Sequence, residues 1–158
     1  MNKEIKGYLK AEAIISAAFN FFINGMIVGV QYHNVDFVPT NIVSIAIDLT
    51  ATCLLMFLIT TPFCKASLKR TKTTRILPNK SRVIRRVSRL FRRPALFVVF
   101  MALLSAAVLY IPTSALFLLF GIYEISFCVY LALKIVFCAV FGGFITTLEL
   151  YSGMCKTE

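Results

Sequence analysis

Tryptophan is absent, histidine occurs once, and seven acidic residues stand against seventeen basic ones. Charge of either sign is scarce at 15% of the chain while 59% is hydrophobic, which excludes an ordinary soluble domain. Catalytic signatures are missing too. No phosphate-binding loop, H-E-x-x-H pair, nucleophile elbow or dinucleotide fingerprint occurs, so neither a catalytic residue nor a cofactor is assigned. His33 and Asp36 make an incomplete metal site and read as surface polarity. Cys53, Cys64, Cys128, Cys138 and Cys155 have no C-x-x-C spacing, and most fill apolar stretches as small side chains.

What the chain does have is four long stretches nearly free of charge: Ala13 to Gln31, Ile42 to Phe63, Ala95 to Phe120 and Ile125 to Leu148. A bilayer core about 30 Å thick needs roughly 20 helical residues, so each stretch can span. Lipid-facing barrel strands would alternate polar and apolar residues, and these runs do not. Soluble helices would each need an amphipathic face against water, and these are apolar on nearly all sides. Lys3, Lys6 and Lys10 give the first run a signal-like start, but it is too long for a cleaved signal core and is kept as a helix. The sequence therefore predicts one all-α membrane domain, residues 1–158, with spans at about 11–31, 42–63, 95–120 and 123–148.

Twelve of the seventeen basic residues lie between Lys65 and Arg93, with no acidic residue among them. Short loops rich in Lys and Arg stay cytoplasmic, which predicts a multi-pass cell membrane protein with both termini inside. The two other connections carry no Lys or Arg. Tyr8, Tyr32, Tyr123 and Tyr151 fall at span ends and serve as the aromatic belt. The chain thus reads as two transmembrane hairpins joined by a connector at 65–93. After the turn signal Leu77-Pro78-Asn79, Val83, Val87 and Leu90 share one helical stripe with Ile84 and Phe91 beside it. Arg82, Arg85, Arg86, Arg89, Arg92 and Arg93 occupy the other positions, as in a basic amphipathic helix lying against anionic lipid headgroups. Nucleic acid is not a partner, because no base-stacking aromatics accompany the charge.

Polar residues within spans are costly and need an account. Asn20 and Asn24 lie in span 1, Asp48 in span 2, Tyr110 and Thr113 beside Pro112 in span 3, and Lys134 in span 4. At helical rise Asp48, Asn24 and Lys134 come out roughly 10, 12 and 15 Å deep from the outer side. Spacing by four gathers Ser16, Asn20 and Asn24, then Ser44, Asp48 and Thr52, then Lys134, Cys138, Gly142 and Thr146 leading to Glu149. The expectation is that Asp48 meets Lys134 with Asn24 nearby, either as a register-fixing ion pair or as a polar cavity for an ion or small solute. Gly25-x-x-x-Gly29 offers a close-contact face, and such faces invite a homo-oligomer. At an offset of 86, Ile59-Thr60-Thr61 falls on Ile145-Thr146-Thr147 and Asp48 on Lys134, a hint of parallel duplication.

Two functions follow as expectations. One is a small oligomeric transporter or channel for an ion or small polar solute. The other is a non-transporting membrane protein whose connector binds anionic lipid or a partner protein. The stretch Phe19-Asn20-Phe21-Phe22-Ile23-Asn24-Gly25, with Thr60-Thr61-Pro62-Phe63 and Lys69-Arg70, resembles a family of bacterial two-helix membrane hairpins over the first 70 residues. That resemblance implies a prokaryotic inner-membrane setting and transfers no site residue.

Overall fold

Each apolar run becomes one long helix in the computed structural model, which describes residues 3–70 and 82–155. The order is α1 (Lys3–Gln31), β1 (Phe37–Pro39), α2 (Ile42–Arg70), α3 (Arg82–Phe91), α4 (Pro94–Leu119), β2 (Glu124–Ser126) and α5 (Phe127–Met154). Four of these helices are long and apolar enough to cross a membrane. Only 22% to 33% of the most apolar window of each is buried within the protein, so most of its surface faces outward. Outward residues include Phe22, Met26, Val30, Leu119 and Val140. An apolar exterior of this extent has hydrocarbon, not water, as its fitting solvent. The chain is a multi-pass α-helical membrane protein.

The helices overrun the expected spans: α1 begins eight residues before position 11 and α2 continues seven past position 63. The backbone hydrogen-bond ladder does not stop where hydrophobicity stops, and polar turns extend it beyond the apolar core. The fourth span starts at Phe127 rather than 123, because Glu124–Ser126 is a strand paired antiparallel with Phe37–Pro39. Pro94 sits in the first turn of α4, where its missing N–H costs nothing. At the other end Gly121, with φ of 62°, takes the left-handed position. Its N–H reaches Leu118 O at 3.2 Å and that of Ile122 reaches Phe117 O at 2.9 Å, a paired closure that uses up two end carbonyls.

Packing runs between the halves of the chain rather than within them. The most extensive contact is α1 on α5, followed by α4 on α2 and then α2 on α5. These contacts have two-fold character under the offset of 86 that separates Asp48 from Lys134. The shift exchanges α1 with α4 and α2 with α5, so α1·α5 and α4·α2 are counterparts, while α2·α5 and β1·β2 map onto themselves. Small residues let α1 and α5 approach: a Cβ on Gly143 would come within 3.2 Å of Ala13 O, and one on Gly142 would overlap the Asn20 side chain. Gly25 faces Ile135 of α5, whereas Gly29 faces open space. Apolar packing is densest toward the end bearing α3, where Phe57, Phe97 and Phe91 meet edge to face with centroids 6.0 and 5.1 Å apart.

Of the connector, α3 buries Ser88 and Phe91 against the bundle, while Val83 is 69% exposed and leaves the expected apolar stripe. Arg82, Arg85, Arg86, Arg89, Arg92 and Arg93 are all exposed. The Leu77-Pro78-Asn79 turn, together with Lys72, Arg75 and Lys80, lies outside the described residues.

Candidate functional site

Two of the polar residues expected inside spans face each other across the α2–α5 contact. Asp48 stands six residues into α2 and Lys134 seven residues into α5, each about 9 to 10 Å from the loop end of its helix. Lys134 Nζ donates to Asp48 Oδ2. The lysine side chain is 8% exposed and the carboxylate 25%, so the carboxylate is the more open of the two. One turn before Lys134, the Tyr130 ring lies under the ammonium at 5.8 Å. Tyr32, just past the end of α1, meets that ring edge-on with centroids 5.5 Å apart. The Tyr130 hydroxyl is buried, with Asp48 and Tyr32 as its polar neighbours.

The open space is a cavity of about 260 Å³ between α2, α4 and α5. At about 30 Å³ per water it has room for roughly nine waters or one small organic solute. Ser44 and Asp48, Thr113 and Phe117, and Tyr130 and Lys134 are contributed to its wall by α2, α4 and α5 respectively. Val38, Pro39 and Ile125 of the paired strands roof it. A second depression of about 600 Å³ shares Thr40, Ser44, Ile45 and Phe117 with the first and extends it toward the loop end past Asn41, Ser114 and Tyr123. Local hydrogen bonds fix this rim. Asn41 Oδ1 accepts the Ser44 N–H at 2.8 Å as the N-cap of α2, and Thr40 Oγ1 donates to Ile122 O at 2.7 Å across the two loops.

The six residues expected to cluster do not all meet. Asp48, Lys134 and Thr113 wall the cavity. Asn20 and Asn24 are buried, but neither lines it. Their amides turn back onto α1, Asn20 Nδ2 to Ser16 O at 2.9 Å and Asn24 Nδ2 to Asn20 O at 3.0 Å. The reason is packing: α1 lies along α5 with Asn20 against Gly142, about two turns from Lys134 toward the connector end. Tyr110 is half-buried and lies one turn deeper than Thr113, off the cavity wall. In the loop after α1, His33 Nδ1 lies 3.0 Å from Val30 O, a contact local to its own turn.

A second polar layer lies at the connector end. Glu149 of α5 is completely buried, and Thr61 Oγ1 of α2 donates to its Oε1 at 2.6 Å. Thr146 Oγ1 donates to Ser16 Oγ at 2.6 Å, and Ser16 Oγ in turn donates to Gly142 O at 3.3 Å. Nearer the end, Ser67 Oγ donates to Glu12 Oε1 at 2.6 Å and lies 2.7 Å from the Tyr8 hydroxyl. The four-residue stripe from Lys134 points at Glu149, but a span ending at 148 left the residue outside the membrane, and α5 in fact runs to Met154. No protein-family model matches the chain, and no curated protein or solved structure does so either.

Proposed function

We propose that the protein binds a small polar or zwitterionic solute in the outer half of the membrane and acts as a small transporter or channel. The observation that carries this reading is the cavity walled by both members of the Asp48–Lys134 pair. A purely structural ion pair is favoured by close packing on all sides, because low dielectric strengthens it and unfilled space does not. Here the pair borders room for a ligand, the buried Tyr130 hydroxyl, and two tyrosine rings suited to a cation. An ammonium on the solute would take Asp48 and an anionic group Lys134, so that neither charge is left alone when the pair opens.

The arrangement that supports transport is a parallel repeat. The two halves, about Lys10 to Lys65 and Pro94 to Tyr151, pack on each other rather than closing as separate hairpins, and a repeat axis along the membrane normal would bring equivalent positions 48 and 134 together at their interface. Solute sites of repeat-built transporters lie at such interfaces. Both termini and the connector are placed inside by the positive charge, which puts the cavity on the outer side. The likeness of the first 70 residues to bacterial two-helix hairpins agrees with an inner-membrane setting and with assembly through pairs of hairpins, here and in a homo-oligomer.

The exposed arginines of α3 support an additional role for the connector in holding anionic headgroups, each contributing on the order of 1 kcal/mol before screening. The test is uptake into proteoliposomes, screened over inorganic ions, small amines, small acids and amino-acid-like zwitterions. A zwitterion taken up by the wild type but not by Asp48→Asn or Lys134→Met supports the reading. No uptake of any of these by folded protein sinks it.

A further inference from the structure

Glu149 differs from the other buried charges in what surrounds it. Asp48 has Lys134, but among the described residues no cationic side chain lies within ion-pair distance of Glu149, whose side chain is wholly withdrawn from the surface. Oε1 accepts one hydrogen bond, from Thr61, while Oε2 is buried and has no partner. A carboxylate needs several donors when taken out of water, and a carboxylic acid needs an acceptor for its proton. The packed structure supplies neither in full. Such a group is not explained as a fixed structural link; it is one whose second oxygen is left for something that comes and goes.

The neighbours limit what that is. From α2 the side chains of Thr60, Thr61, Cys64 and Lys65 are turned toward it, and from α1 Glu12 is brought near Cys64 through Ser67. The arginines of α3 are exposed and turned away, and Tyr151 is the next titratable group along α5. Among the described residues no three His, Cys, Asp or Glu side chains gather as metal ligands. The proton is the cation small enough for a single unpartnered oxygen.

The nearer end of α5 is the connector end. Glu149 is five residues from the end of α5, about 7 Å at helical rise. Ser152, one turn on, is fully buried and its hydroxyl has no partner either. Lys65 is only half-buried, its ammonium 5.3 Å from the Phe91 ring centre, and α3 closes the end with Phe91 near Gly153.

We infer that Glu149 is a reversible proton-binding site, loaded from the connector side of the membrane and separate from the Asp48–Lys134 cavity. In loading, hydronium gives its proton to Oε2 and leaves as water; the negative charge at the α2–α5 contact is neutralised and the Thr61 hydrogen bond weakens, because the acceptor is no longer ionised. This site stands whether or not the cavity holds a solute.

The test needs no substrate. Infrared difference spectra of the reconstituted full chain are taken as pH is stepped between about 9 and 5, the range over which buried carboxyls have been found to exchange protons. A carboxylic C=O band that appears and disappears reversibly, and is lost in Glu149→Gln, is the expected result. A titrating band that survives in Glu149→Gln belongs to another carboxyl and overturns the inference, as does the absence of any titrating band. Thr61→Val keeps the carboxyl and removes the hydroxyl that donates to its Oε1. It should shift both the frequency and the midpoint of the band, and an unshifted band overturns the assignment even if the glutamine variant does not fold.

Discussion

Removing either partner of the Asp48–Lys134 pair should destabilise the protein, and the two losses should differ. Stripping one member from a buried pair costs about 3 to 5 kcal/mol, because the other is left charged without compensation. Asp48→Asn strands Lys134, which is 8% exposed, and so should cost about 3 to 4 kcal/mol. Lys134→Met strands Asp48, which at 25% exposure borders the cavity and regains water, so about 2 to 3 kcal/mol is expected. The double variant should recover about 2 kcal/mol relative to the sum. Because positions 48 and 134 are counterparts under the same offset, the reversed pair Asp48→Lys with Lys134→Asp should recover more than either single change. The assay is reversible unfolding in mixed detergent micelles, followed by helical circular dichroism. Strictly additive losses, or a reversed pair no better than its singles, would refute the reasoning.

Two further outcomes test the packing. Gly142→Ala places a methyl against the Asn20 amide, whose Cγ would be 2.7 Å away, and should cost about 1 to 3 kcal/mol in the same assay. Adding Asn20→Ala should return most of that loss, and a failure to do so would mean that α1 and α5 are not in this register. Phe37 and Ser126 are opposed in the strand pair, so Phe37→Cys with Ser126→Cys in a cysteine-free background should form a disulfide under mild oxidation, read as a mobility shift on denaturing gels. Equal cross-linking from a Phe37→Cys, Glu124→Cys control would argue against that register.

The helices were legible because bilayer length and uniform apolarity leave little choice of structure. Their ends were not: Lys3 to Lys10 and Lys65 to Arg70 are helical by continuation of a ladder that the apolar core begins. The strand pair was also out of reach, since Phe37–Pro39 and Glu124–Ser126 are three residues each and pair only because their loops are held side by side. Asp48 and Lys134 stood out because ions in apolar runs need partners. Depth along a helix was readable, but direction around it was not. That is why Asn24 and Tyr110, at suitable depth, lie off the cavity while Thr113 lies on it. Glu149 stands at the end of the Lys134 stripe but falls outside the expected span for a boundary reason, one residue beyond an apolar run that the helix itself ignores.

The site at Asp48 and Lys134 is tested most directly by asking whether water reaches it from the loop end. Single cysteines at Ser44 and Thr113, on the cavity wall, are introduced into a cysteine-free protein and treated with a membrane-impermeant thiol reagent from the outer side, with Asn41→Cys as the exposed control and Ala102→Cys as the buried one. The expected result is labelling at positions 41, 44 and 113, but not at 102, with positions 44 and 113 slowed by any solute that the protein takes up. Labelling at 41 with complete protection at both 44 and 113 would contradict it and leave the ion pair a structural link.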